Sequence, residues 1–499
     1  MRNRADLPAL LVCAALLGAC ASKRPGTPDT EPTLKTLASR QVNVDADPGI
    51  EGNEAKTIAA YREFLAGAPN APQRAEAMRR LGDLEMDLAD TRAATAEGAT
   101  VELDYKAAIA RYQDYLKAYP KDPGNDRVLY QLARAQEQGG ALELALKTLD
   151  RLVAAYPDTA YRDEAHFRRG EMLFATRDYA RAEGAFSTVL KGGADNPYVD
   201  RALYMQGWSL FKLARLDDAL QSFFAVLDRT VAGRDGDAGL DALEGLSRAE
   251  RELVEDTFRV TSLCLSNLQG ADTIAGYITS DERRSYEFRV YEQLGELYIK
   301  QERTKDAADT FGAFARRQPL HAQAPQLQAR VIEIYQRTGF GMLALEAKKD
   351  YVSRYGMDGE FRRANPEGWE KAQPLVKTHL AELARHHHAA AQKSKASADY
   401  QEAVRWYRAY LAAFPTDADA AQNNFLLAEL LFEDQRHAEA AAEYEKAAYA
   451  YPAHARSADA GYAALLSYSA QEKQLPAADL PALQRASVAS ALRFAQAFP

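Results

Sequence analysis

A spacing of 37 residues recurs along most of this 499-residue chain. Ala145, Ala182 and Ala219 keep it, as do Leu149, Phe186 and Phe223, and again Ala133, Gly170 and Gly207. It returns as Tyr298 to Tyr335, Ala307 to Ala344, Ala403 to Ala440, Tyr407 to Tyr444 and Pro415 to Pro452. Small and aromatic residues at a fixed period mean that one supersecondary unit is stacked many times, which makes the fold a solenoid. The length agrees, because a single hydrophobic core rarely grows past about 300 residues. No long run of β-branched residues alternates with period two, so sheets are excluded in favour of helices. The acidic excess, 71 Asp and Glu against 62 Lys and Arg, is spread along the chain without a basic stripe. That argues against nucleic acid as a partner.

The N-terminus reads as an address. Arg2 and Arg4 precede an apolar stretch from Leu7 to Leu16, followed by Leu17, Gly18, Ala19 and Cys20. A charged start, a short apolar run and a small-residue cleavage site form a secretory signal, too short for a stable membrane span. The last four residues resemble the bacterial lipobox. That resemblance implies cleavage before Cys20, acylation of that cysteine and, since Ala21 is not aspartate, an outer-membrane anchor with the body in the periplasm. Residues 1–19 are then signal and 20–53 the acylated cysteine and its tether. Pro25, Pro28, Pro32 and Pro48 with Thr, Asp, Gly and Lys cannot bury enough apolar surface to order that segment. Extended, about 30 residues at ~3.3 Å each reach roughly 100 Å. Of the cysteines, Cys13 leaves with the signal, so Cys264 alone remains unmodified, within an apolar helical pattern that suits a buried, inert thiol.

From Glu54 the chain reads as antiparallel helix pairs. In one unit Leu427, Ala428 and Leu431 share a face, Ala440, Tyr444 and Ala447 follow on a second helix, and Pro452 ends it. Leu294, Gly295, Tyr298, Ala307, Phe311 and Pro319 repeat the pattern. It resembles the tetratricopeptide repeat, whose common period is about 34 residues. The resemblance implies an all-α solenoid of about ten antiparallel helix pairs in a right-handed superhelix. Units ending on an aromatic and a proline (Tyr119-Pro120, Tyr156-Pro157, Phe414-Pro415, Tyr451-Pro452, Phe498-Pro499) are similar to repeats of bacterial envelope lipoproteins, such as those of barrel assembly and of the Tol-Pal system. Irregular stretches lie within 82–108, at 227–289, at 355–369 and at 471–481. They suggest an N-terminal stack over 54–228, a degenerate repeat with a loop over 229–288, and a C-terminal stack over 289–499. That last stack ends as though another unit or a partner should follow.

In the tetratricopeptide family the first helix of each pair lines the groove. Its positions carried onto this chain are Tyr130, Arg134, Phe167, Phe174, Tyr204, Trp208, Phe211, Phe425 and Phe432. Aromatics there suit partner peptides or helices, while the same spacing also suits rings packed between adjacent units. The Lys and Asn of the carboxylate-clamp version are absent from these positions.

Other constellations point away from chemistry. His379, Glu382 and His386 fall on one helix face, a possible zinc arrangement, but they lack a fourth ligand and suit a solvated polar helix surface better. Asp235, Asp237 and Asp241 miss the calcium-loop spacing and suit a flexible loop. Ser209 to Lys212 matches a serine-lysine acylation motif only inside a repeat helix. The expectation is a non-enzymatic scaffold without cofactor that holds other envelope proteins at the outer membrane. The alternative is a glycan- or ligand-binding repeat protein with a further domain after Pro499.

Overall fold

A computed structural model describes residues 54–95, 105–233, 243 and 245–499. Cys20 and the segments assigned to signal and tether lie outside the described residues, as do Asp235, Asp237 and Asp241. The described residues form 22 α-helices and no strand. In chain order they begin with α1 (Glu54–Gly67), α2 (Arg74–Thr95), α3 (Lys106–Ala118), α4 (Asn125–Gln138), α5 (Leu142–Ala155), α6 (Arg162–Ala175) and α7 (Tyr179–Leu190). Next come α8 (Val199–Lys212), α9 (Leu216–Thr230), α10 (Arg248–Ser266), α11 (Ala271–Tyr277), α12 (Asp281–Lys300), α13 (Thr304–Arg317), α14 (Ala324–Arg337) and α15 (Gly341–Tyr355). The last are α16 (Glu360–Ala364), α17 (Pro366–Ser394), α18 (Ser397–Ala413), α19 (Ala420–Glu433), α20 (His437–Tyr449), α21 (Ser457–Glu472) and α22 (Leu480–Ala497). Each long helix packs on its neighbours in sequence, so the protein is an α-solenoid.

Inside a pair, one position on the first helix must be small because a side chain of the second helix occupies its space. A Cβ added to Gly170 would stand 2.5 Å from the Phe186 ring, and one added to Gly207 would stand 2.5 Å from Phe223. Gly82 meets Tyr112 at 2.7 Å in the same way, and Gly295 faces Phe311. The rings of Phe186, Phe223 and Phe311 are fully buried, as are the partners Leu149 and Tyr407 in units that put alanine at the small position. This explains why two separate residue series share one period.

The turn between the two helices also repeats, and its signal is in the backbone alone. Gly140, Arg177 and Ala214 take left-handed φ values of 76°, 67° and 58°, and Glu302 and Gly339 take 58° and 79°. After each, an amide reaches back five residues: Ala141 to the Gln136 carbonyl at 2.8 Å, Asp178 to Leu173 at 2.8 Å, Arg215 to Leu210 at 3.0 Å. Such bonds satisfy the last carbonyls of the first helix and reverse the chain at once.

The degenerate stretch does not interrupt the core. Val254, Phe258, Cys264 and Leu265 of α10, with Ile274 of α11, join one buried cluster that runs from Leu210 to Ala464. Burial pushes the Cys264 thiol up to about 12, which keeps it protonated and unreactive. No helix among the described residues is long and apolar enough to cross a membrane.

Two substitutions in one unit test this account. Gly207→Val forces the Phe223 ring aside and should cost about 1–3 kcal/mol. Ala214→Gly relieves a left-handed alanine and should gain about 1 kcal/mol. Denaturant midpoints of the two variants moving in the same direction would contradict it.

Candidate functional site

The aromatic series expected to line a groove divides into two groups. Tyr130, Phe167 and Phe425 are 5%, 2% and 3% exposed, so these three rings are core and offer no surface to a partner. The physical reason is a cover supplied by the following unit. Tyr161 stacks on Tyr130 with ring centres 4.5 Å apart, and Tyr198 stacks on Phe167 at 5.3 Å. The Arg456 guanidinium lies 3.5 Å from the Phe425 ring centre. Every cover residue stands 31 positions after the ring it covers, just before the first helix of the next repeat. Tyr161 and Tyr198 are themselves 37 apart, so the signal for covering was present in the sequence beside the signal for the rings.

The second group stays half-buried. Phe174 packs edge-on to Tyr179 at 5.2 Å, and Phe432 lies 4.9 Å from the His437 ring. Arg134 reaches Gln131 at 3.4 Å and Asp90 at 3.8 Å. Tyr204, Trp208 and Phe211 sit where the next repeat is degenerate. Tyr204 donates its hydroxyl hydrogen to Asp256 of α10, and burial together with that bond pushes the phenol up to about 12. Trp208 and Phe211 meet at 84° with centres 5.6 Å apart, forming an apolar corner. Lys212 lies 5.6 Å and Arg259 5.9 Å from the indole, and Asp256 pairs with Arg259. Lys212 is exposed, so the corner has a cationic edge. Ser209, which the acylation motif singled out, is fully buried and donates to the Met205 carbonyl at 2.8 Å, a helix-internal bond.

The histidine run on α17 also departs from expectation. His379 and His388 are buried, so this face is not a solvated polar surface. His379 Nδ1 lies 3.1 Å from Glu382, His388 Nδ1 lies 3.0 Å from the Tyr407 hydroxyl, and His386 is exposed beside His387. Among the described residues no group of three His, Cys, Asp or Glu side chains could hold a metal ion. Glu382 is instead held by His379 and by Lys348 of α15, whose ammonium is 2.9 Å away. These two partners bring its carboxyl down to about 2. Lys348 was not singled out by residue type. Its signal lies in the register, because Lys348 stands 37 residues after Phe311 and Ile332 stands 37 after Gly295. The usual small residue and ring are here replaced by a large aliphatic and a lysine.

Two stretches, residues 94–166 and 374–455, match family models described as tetratricopeptide repeat. Both stretches are tetratricopeptide repeats. No curated protein matches the chain. Among solved structures it is similar to MamA from Desulfovibrio magneticus RS-1, with 15% identity over 42% of this chain and 95% of that one and a TM-score of 0.28. It is similar also to a tetratricopeptide repeat protein from Parabacteroides merdae, with 15% identity over 60% and 98% of the two chains and a TM-score of 0.27. A third, YrrB, described as a tetratricopeptide protein with an unusual peptide-binding site, shows 16% identity over 53% and 97%, with a TM-score of 0.23. In the repeats of this chain the geometry is that of a binding scaffold: it offers half-exposed rings and engaged ion pairs.

The division of the rings predicts opposite outcomes. Phe167→Ala empties a core position and should cost about 3–5 kcal/mol, whereas Trp208→Ala should cost about 1 kcal/mol or less. Equal losses in thermal or denaturant unfolding would contradict the division. The Glu382 carboxyl is lower in the folded chain than its ordinary 4.5. Its stabilisation is therefore complete above about pH 4.5 and is lost as pH falls through about 2. Melting temperatures of Glu382→Gln should accordingly fall less than those of the parent protein between these two pH values.

Proposed function

We propose that this protein is a non-enzymatic scaffold, anchored by lipid at Cys20 to the outer membrane, whose repeats hold other envelope proteins in the periplasm. The observation that carries the binding role is the Trp208–Phe211 corner, two half-buried rings in edge contact with the exposed Lys212 beside them. Aromatic anchors provide large contact area at low entropic cost and concentrate binding energy. Arg134, Phe174 and Phe432 extend the same partly open surface along the first helices. The membrane role is supported by the apolar stretch followed by Leu17, Gly18, Ala19 and Cys20, and by the proline-rich segment behind it. No phosphate loop or nucleophile elbow occurs in the chain, and the serine-lysine and histidine constellations are bound up in helix packing.

Crosslinking in cells with the tagged full-length protein, followed by mass spectrometry of the captured chains, tests the proposal. The parent should capture a small reproducible set of envelope proteins from the membrane fraction. Trp208→Ala with Phe211→Ala should reduce that capture at least tenfold while circular dichroism stays unchanged and melting falls by only a few degrees. Cys20→Ala should move the protein out of the membrane fraction. Undiminished capture by the double variant would retire the corner as the site, and membrane retention by Cys20→Ala would retire the lipid anchor.

A further inference from the structure

The α21–α22 pair presents an apolar face. Of the 18 residues of α22 only Leu483 and Ser490 are buried, whereas α20 buries five of its 13. Val488 and Leu492 of α22 are 59% and 62% exposed, and Tyr462 and Leu466 of α21 are 56% and 48% exposed. Two contacts set the antiparallel register of the pair. The Tyr462 ring centre lies 6.4 Å from that of Phe494, and Gln484 donates to Glu472 at 2.8 Å. Leu466 then stands level with Ser490. On α21, Asp459, Tyr462, Leu466 and Lys473 share one helix face, spaced by 3, 4 and 7 residues; Lys473 keeps a helical φ of −73°. On α22, Arg485, Val488 and Leu492 share one face, spaced by 3 and 4. Both rows turn in the same sense away from the contact of Gly461 with Phe494, and in an antiparallel pair that brings them to the same side.

The face carries opposite charges at its two ends. Asp459 closes one end with its side chain 68% exposed, and the exposed Lys473 and Arg485 close the other. Asp459 and Lys473 stand seven residues before and after Leu466, so each lies roughly 10 Å from it along the helix. Other charges around the pair are engaged away from this face. Glu472 is bonded to Gln484 within the pair, and Arg493 lies 3.9 Å from the Tyr449 ring centre. Arg456, 3.8 Å from Asp459, also reaches Glu429 at 3.4 Å and covers Phe425.

We propose that this face is a homodimer interface, covered by a second copy of the chain. A two-fold axis can lie in the face in two ways. Running along the helices, it would set α21 on α22 of the second copy and bring Arg485 against Lys473 of that copy, like charge on like. Running across them at the level of Leu466, it sets each helix antiparallel on its own counterpart. Asp459 then meets Lys473 of the second copy, twice over by symmetry. Leu466 meets Leu466, Val488 meets Leu492, and Arg485 falls beside Ala495. The axis across the helices separates the like charges and closes the apolar middle, so it is the one assigned. A face about 27 Å long and two helices wide covers roughly 500 Å² on each copy, and about 1,000 Å² in total is the lower limit for a specific interface. The dimer is accordingly weak and reversible. It lies apart from the Trp208–Phe211 corner and does not depend on it.

Sedimentation velocity of the full chain carrying Cys20→Ala, a change remote from this face, tests the proposal. The chain should show a reversible monomer–dimer equilibrium in the micromolar range. Asp459→Lys and Lys473→Asp should each weaken dimerisation at least tenfold when alone, because each sets like charges together at both ends. An equimolar mixture of the two variants should regain the parent affinity, since every end contact between unlike copies is again a lysine against an aspartate. Leu466→Cys, placed on the axis, should be joined to itself by a short bismaleimide well above the level of the parent, and it keeps the test decisive should a charge variant lose helicity. A chain that stays monomeric, a mixture that regains nothing, or Leu466→Cys joined no better than the parent would each overturn the interface.

Discussion

The whole array depends on one close approach, a small residue on the first helix of a pair against a ring on the second. With a Cβ excluded at Gly170 and Gly207 by rings that would stand 2.5 Å away, the two helix backbones come as near as a ring's thickness allows. The contact fixes both the separation and the rotation of each pair, because the ring enters only where a side chain is missing. Once the pair is fixed, the left-handed turn residue and its five-residue return bond set the angle at which the second helix leaves the first. Fold and period follow from a steric condition that the regular units satisfy each for itself, as nearest-neighbour stacking requires.

Covering is the second layer of the same logic. In three units the residue just before the first helix lands on the ring 31 positions upstream and hides the aromatic of the preceding repeat. Surface left for a partner therefore lies at other positions of the first helices, where Arg134, Phe174, Trp208 and Phe211 stay half-buried. Around residues 204–211 the following unit is displaced, and Asp256 of α10 takes the hydroxyl of Tyr204 where the preceding units supply a tyrosine ring. Four residues on, the half-buried indole of Trp208 has two cations nearby. Inside the α14–α15 pair the irregularity is of another kind, a change of residue type, with Ile332 at the small position and Lys348 in the ring's place.

The helix pairs were legible in the sequence because the steric rule acts on residue type: alanine, glycine, phenylalanine and tyrosine cannot exchange places without a clash. The turn was much less legible. Glycine marks it at Gly140 and Gly339, but Arg177, Ala214 and Glu302 accept the same positive φ, since the flanking helices hold the backbone there whatever the side chain costs. The candidate site was legible by half. A 37-residue aromatic series identifies one helix face, yet Tyr130 and Tyr204 occupy the same repeat position and differ in what the next unit places over them, a tyrosine ring in one case and Asp256 in the other. That is a contact between units, and it depends on whether the following helix keeps register.

Lys348 shows how far register can be pushed as a reading tool. Judged alone it is one of many lysines, and a lysine on a helix is ordinarily solvated. Judged against Phe311 one period earlier, it is a charge in a ring's place, and a charge there demands a partner. Glu382 and His379 supply that partner from the next helix, which explains why two histidine-run residues that read as surface are drawn into the packing. Exposed histidines and buried ones look alike in a sequence. What separates His379 from His386 is a substitution 31 residues before His379, in a different repeat, and only the period makes that connection visible.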